Sequence, residues 1–314
     1  MFIIRFRTFF FWLTGLILVA AVASICIFGL PLSIDFTGGS LVEVSYTSPR
    51  PDLATLNKAL APLALGPVSI LDSGANDVTL RSRTLTPAEN TAVLAALSEQ
   101  GAAPLTEVQF NSIGPSLGSE LATKSLYALL AVVAFIVLYI AWAFRSVPKP
   151  VPGWGYGIVV VVMLAIDLIV PTGFYAALCH YTGAQVDSLF VVAILALLGY
   201  CVNDVIVIFD RIRENLTKND HAHAKEEFTA TVGRSIDETM TRSINTALTV
   251  ALALLALIFL GPAATRDFAL VMLVGVVIGT FSSVCRSAPL LIPLADYFTK
   301  KEHEEKSGSK KSKK

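Results

Sequence analysis

The sequence has 314 residues, 54% of them hydrophobic and only 15% charged, and its 24 basic and 24 acidic residues balance to a formal net charge of zero. Soluble domains carry about 25% charged residues, and here the charges are segregated, leaving apolar runs close to the roughly 20 residues that cross a bilayer. No global basic field favours nucleic acid. Cys26, Cys179, Cys201 and Cys285 lie in or beside apolar runs without CxxC spacing. That argues against a disulfide framework or a zinc site and for small buried side chains.

Six spans are predicted, at Phe9–Leu30, Leu126–Phe144, Gly155–Leu178, Ser188–Phe209, Ser243–Leu260 and Phe268–Leu294. The first contains Ala21-Val22-Ala23, which mimics a signal-peptide cleavage site. Its apolar run continues past that point, so it is expected to remain as a helix. Arg5 and Arg7 precede the first span, and Arg145 and Lys149 join the second to the third. Arg211, Arg213, Lys218, Lys225 and Arg234 join the fourth to the fifth, and a lysine-rich tail follows the sixth. The opposite loops hold only Arg266. The positive-inside rule then predicts cytoplasmic termini and an outward-facing segment after the first span.

That segment, about 33–121, reads as βαββαβ. Leu41–Tyr46 alternates like a strand, and Asp52–Leu63 has helical spacing. Val68–Leu71 and Val78–Leu80 are short strands flanking a turn at Ser73–Asp77. Thr86-Pro87-Ala88-Glu89 is a capping box with proline at the first helical position, opening a helix to about Glu99. Leu105–Phe110 is the last strand. The order predicts a ferredoxin-like α+β domain with one sheet face open to a partner. Asn111–Glu120 reads as the joint back to the membrane, residues 122–298 as the other five spans, and the tail from Lys300 as a disordered, solvated segment, with attraction to anionic lipid as the alternative.

Ionisable groups inside apolar spans cost at least about 2.5–3.5 kcal/mol and need a reason. Asp204 lies in the fourth span beside Asn203, and the pair is expected to face protein or water. Asp167 lies mid-way along the third span, four residues before Pro171, which frees a backbone carbonyl. Arg242 opens the fifth span at a depth comparable to Asp204. One reading is a proton relay, in which a carboxylate gains a proton on desolvation and loses it when a cation approaches. The other is a static ion pair that fixes packing. Arg286 is read as reaching for the cytoplasmic interface. Gly275-x-x-x-Gly279 and Gly153, Gly155 and Gly157 permit close helix approach. No phosphate loop, HExxH or nucleophile–base pair is present, so no enzyme, cofactor or metal is expected. His221-x-His223 reads as exposed loop histidines.

The residues together resemble the SecD/SecF family of protein-export membrane proteins, on the side of its smaller subunit. Asp35-Phe36-Thr37-Gly38-Gly39 resembles the family's opening motif, and Ile113-Gly114-Pro115-Ser116-Leu117-Gly118 the segment re-entering the membrane. Gly199–Asp204 with Phe209–Asn215 resembles its most distinctive stretch, and Gly279–Ser283 its last helix. The chain departs at Cys201, Val205, Asp237-Glu238 and Ile166; a histidine often stands at the last position. The resemblance implies a six-helix half of a resistance-nodulation-division transporter. SecD would supply the other half, and the pair would use the proton gradient to help preproteins leave SecYEG and SecA, with YidC and YajC as further partners. It also implies Asp204 and Arg242 as proton-pathway residues in a bacterial inner membrane. Alternatives are a non-transporting scaffold for SecD or the channel, and a proton-coupled exporter of small molecules or lipids.

Overall fold

A computed structural model describes the chain except residues 1, 48–50, 67, 73–75, 99–102, 146, 148, 149, 224, 225, 263, 264 and 312–314. The predicted turn at Ser73–Asp77 therefore lies largely outside the described residues. The chain divides into two compact units. One comprises Met1–Gly29, Leu129–Tyr181 and Leu189–Lys314; the other comprises Leu30–Ala128 and Thr182–Ser188.

The first unit is helical. A short helix α1 (Phe2–Arg5) precedes α2 (Arg7–Phe28). The later helices are α7 (Gly153–Thr182), α8 (Ser188–His221), α9 (Phe228–Leu260) and α10 (Arg266–Ser282). A π-helical turn, Ser283–Ser287, joins α10 to α11 (Ala288–Lys311). With α6 (Pro115–Ala143), six stretches among the described residues are long and apolar enough to cross a membrane, the last running Arg266–Lys300. The chain is a multi-pass membrane protein. Three of these, α7, α8 and the α10–α11 stretch, are about half buried, whereas α2, α6 and α9 are mostly exposed. Tyr156, Phe144 and Phe209 form the aromatic centre of the core, with ring centroids 5.2–5.9 Å apart.

Hydropathy alone foreshortens the spans. The helix of span five starts at Phe228 instead of Ser243, and that of span four runs on to His221, because polar residues continue a helix that has left the apolar layer. The tail is also corrected: α11 runs to Lys311, consistent with the good helix propensity of lysine and glutamate.

The second unit holds a short helix α3 (Ile34–Thr37), β1 (Gly39–Tyr46), α4 (Leu53–Leu60), β2 (Ser69–Asp72), β3 (Asp77–Ser82), α5 (Pro87–Leu97) and β4 (Leu105–Ile113). The sheet is antiparallel in the order β2-β3-β1-β4, the arrangement expected of a βαββαβ ferredoxin-like domain. Val42, Val44 and Tyr46 alternate inward with Val78 and Leu80, against Leu56, Leu60, Val93 and Leu97 of the two helices. The Tyr46 hydroxyl satisfies itself by donating to the Leu97 carbonyl at 3.0 Å. The capping box forms as predicted, with Thr86 Oγ1 accepting from the Glu89 amide and Glu89 Oε2 from the Thr86 amide.

The joint to the membrane is short and structured. β4 continues to Ile113 and α6 starts at Pro115, leaving Gly114 alone between them. Pro115 suits the first helical position because its missing N–H has no intrahelical partner there.

Candidate functional site

Asp204 sits at the seventeenth position of α8 and is 8% exposed. Its Oδ1 accepts from Ser243 Oγ of α9 at 2.5 Å, and its Oδ2 contacts Ser283 Oγ of the π-helical turn. Ser243 and Ser283 are buried themselves. The carboxyl is therefore clamped by hydroxyls from two other spans. Beside it the Tyr200 and Thr280 hydroxyls lie 3.2 Å apart, tying α8 to α10.

Asn203 is exposed on this chain. Neighbours on a helix point about 100° apart, so Asn203 and Asp204 cannot share one pocket. Arg242 is exposed too and holds no hydrogen bond to Asp204. Its neighbour Ser243 takes the inward position. Arg242 thus shares the level of Asp204 but faces away from the core of this chain.

Asp167 lies in α7, 3% exposed, and its partner is Arg286 of the π-helical turn, with Nη2 3.3 Å from Oδ1. Arg286 is also 3% exposed. This overturns the expectation that Arg286 reaches for the interface. The side chain is long enough to do so, but it points inward, where its charge is met by a carboxylate that would otherwise be buried alone. Ser282 and Cys201 also face the Asp167 carboxyl, and Arg286 Nε is buried without a hydrogen-bond partner. The π turn itself has a local cause. Pro289 has no N–H to give the Cys285 carbonyl, and its ring crowds that carbonyl, so the preceding turn widens.

Beyond Asp204, α8 and α9 are latched by polar contacts. Arg211 pairs with Glu238 at 2.5 Å and with Glu214 at 2.6 Å, and Asn215 donates to Ser235 and Glu238. The departure at Glu238 therefore places a carboxylate between an arginine and an asparagine. Gly275 packs on Leu197 and Gly279 on Cys201, where an added Cβ would collide. Among the described cysteines Cys179, Cys201 and Cys285 are buried, whereas Cys26 is exposed. No group of three or more His, Cys, Asp or Glu able to hold a metal occurs among the described residues.

The second unit organises the opening motif. Ser33 caps α3 by accepting from the Asp35 amide, and Phe36 is buried. Asp35 Oδ2 accepts from the amide and hydroxyl of Ser188, at 2.9 and 2.6 Å. Ser188 is the first residue of α8, so Asp35 satisfies an orphan helix donor and complements the helix dipole. A two-way backbone pairing, Ser33 N to Val186 O and Val186 N to Pro31 O, pins the same stretch. Gly38, at φ +74°, faces Pro115, where a Cβ would lie 2.7 Å from Pro115 Cα. A Cβ on Gly118 would lie 2.7 Å from the Gly38 nitrogen, and Gly39, at φ +129°, abuts Ser82 O. Thr37 donates to the Ser33 carbonyl. Gly114 meets no neighbour but accepts from the Gly118 amide, starting α6. Sequence reasoning missed Ser188, Ser243 and Ser283, since an isolated serine in an apolar helix carries no signal of what it binds.

A six-span bundle with a hydroxyl-clamped carboxylate, a buried ion pair and a ferredoxin-like insert defines a transporter-type membrane subunit. A profile of the family described as "Protein export membrane protein SecD/SecF, C-terminal" matches residues 93–296, and the "SecD/SecF GG Motif" matches residues 23–49. The chain belongs to the SecD/SecF family. It is 34% identical to the protein translocase subunit SecF of Anaerolinea thermophila over 91% of each chain. It is 33% identical to that of Thermobaculum terrenum over 92% of each. The crystal structure of SecDF from Thermus, described as a translocon-associated membrane protein, is 28% identical with a TM-score of 0.78. The match covers 93% of this chain and 38% of that one.

Proposed function

We propose that the chain is a proton-coupled subunit of the protein-export machinery, working with SecD beside SecYEG and SecA in a bacterial inner membrane. Both termini are then cytoplasmic and the ferredoxin-like domain is periplasmic. The family relationship supports the export role. The observation that carries the proton role is Asp204, buried in a span and held by Ser243 and Ser283. A carboxyl that meets different partners in two states of a transporter can take up a proton in one and release it in the other. Asp167 belongs to the same pathway, and Asn203 lies on the outer face of the same helix.

Arg242 is the approaching cation. It is exposed at the level of Asp204, and an unpaired guanidinium in lipid is costly. A SecD carboxylate facing α9 satisfies it, and exchange between that partner and Asp204 drives the cycle. The motif Asp35–Gly39 with Gly114, Pro115 and Gly118 carries the motion to the polypeptide-handling domain.

The test is preprotein translocation into inverted membrane vesicles containing SecD. Asp204→Asn should assemble with SecD normally yet lose the acceleration that a proton gradient gives. Undiminished acceleration would refute the relay and favour a scaffold.

A further inference from the structure

The second unit holds a cleft of about 300 Å³ to which neither the proton role nor the export role gives a task. That volume is at the lower end of what small-ligand sites occupy. Its walls come from the opening motif, from β2 and β3, and from the turn between α7 and α8.

Arg81 of β3 lines this cleft. It lies on the sheet face turned away from α4 and α5, with Leu41 and Ser69 as its cross-strand neighbours. Its Nε is buried and finds no acceptor among the described residues. Burial lowers the pKa of the guanidinium, and no carboxylate beside it offsets the effect. Arg83, two residues on, is the contrast: its guanidinium is spent on Glu89 at 2.5 Å. Other polar groups of the cleft are committed. The Thr37 hydroxyl donates to the Ser33 carbonyl and the Ser82 hydroxyl to the Arg83 carbonyl. No carboxylate is among the lining residues. Asp35 is held by Ser188, and Glu43 lies one row further along the same face, opposite Thr79. A cation is thus built into a cleft whose walls carry no anion.

The position of the cleft narrows the source of that anion. Leu32, on one wall, lies two residues after Leu30, where the first apolar run ends. Gln185, also on a wall, lies three residues before Ser188, where α8 begins. A chain reaches at most about 3.5 Å per residue, so both walls stand within roughly 10 Å of a span end. The polar layer on each side of the hydrocarbon is itself about 5–7 Å thick. The cleft is therefore at the level where phospholipid headgroups lie.

We propose that this cleft binds the headgroup of an anionic phospholipid, its phosphate against Arg81 and its glycerol against Leu32, Ile34 and Val68. The guanidinium fork matches two phosphate oxygens, and such charge-assisted pairs are the stronger hydrogen bonds. A zwitterionic headgroup would bring an amine for which the walls have no carboxylate. Thr37 and Gly38 belong to the same cleft, so the bound lipid braces the segment between the first span and β1. The proposal goes beyond the export reading and does not depend on Asp204.

The test is photo-crosslinking in nanodiscs that contain the full chain and its SecD-type partner, followed by peptide mapping. The probe is a phosphatidylglycerol analogue with the photoreactive group on its headgroup. Label is expected on the 68–69 and 185 segments. Arg81→Gln should reduce it about tenfold or more, the loss of one hydrogen-bonded charge, while Arg83→Gln should leave it unchanged. Ser69 is exposed on the edge strand, so Ser69→Trp fills the cleft without disturbing the core and should also remove the label. If Arg81→Gln fails to assemble, Ser69→Trp decides. Equal labelling in the assembled variants and in wild type would overturn the proposal. So would equal labelling by a phosphatidylcholine analogue. Loss of label to excess inorganic phosphate would make this a free-anion site, and loss to a pentaglutamate peptide a polypeptide site; either result overturns the lipid assignment.

Discussion

At the residue scale, the behaviour of Asp204 is set by its hydroxyl clamp. Hydrogen bonds to a charged group contribute about 1.5–3 kcal/mol each, and the Asp204 contacts to Ser243 and Ser283 are both buried. Removing them together with Ser243→Ala and Ser283→Ala should slow gradient-driven export about tenfold or more, at 1.4 kcal/mol per decade, without dissociating SecD. Initial translocation rates in vesicles check this. Asp204 itself was legible in the sequence, because a lone carboxylate in thirteen mostly apolar residues must be held by protein or water. Its partners were not. Ser243 and Ser283 lie 39 and 79 residues away, and Arg286 lies 119 from Asp167. A positive residue near a predicted helix end reads first as an interfacial anchor, and only the widened turn beside Pro289 shows that it points inward.

At the element scale, close packing and capping decide the local structure. Gly173 of α7 packs closely on α2: an added Cβ would lie 2.6 Å from the Ala21 backbone, and Ser24 Oγ donates to the Gly173 carbonyl at 2.7 Å. Backbone cannot yield as a side chain can, so Gly173→Ala should destabilise the bundle by about 1–3 kcal/mol, seen as a lower thermal midpoint in detergent. The glycine stripe at Gly275 and Gly279 was legible as packing, whereas Gly173 was hidden among ordinary apolar residues. In the other unit, Thr86→Ala should cost α5 about 1 kcal/mol, measured by hydrogen exchange of the 87–97 amides. Hydrogen bonds from Arg83, and then from Thr86, lower the Glu89 carboxyl from its ordinary 4.5 to about 2. A depressed carboxylate stabilises the fold above its unfolded value and loses that contribution as pH falls. The protection advantage of wild type over Glu89→Gln should therefore be complete above pH 4.5 and fade between there and about 2. The strands, the two helices and the capping box of this unit were readable because alternation and cap chemistry are local. How compact the joint at Gly114 is was not legible, because the Gly, Ser and Pro residues of that stretch serve a helix start and a close contact with Gly38.

At the scale of the whole molecule, the six spans and the ferredoxin-like insert were legible because hydropathy and βαββαβ order suffice for them. The division of labour among the helices was not. α2, α6 and α9 leave broad apolar faces uncovered, and Arg242 on α9 has its charge still to satisfy. Under the proposed partnership, lipid and SecD supply the missing contacts. The central claim is that this chain converts a proton gradient into polypeptide movement through Asp204. The most direct measurement is the ratio of preprotein translocation rates with and without a proton gradient, at saturating ATP, in vesicles holding SecD and either wild type or Asp204→Asn. The account predicts a ratio well above one for wild type and close to one for the variant; equal ratios above one in both would contradict it.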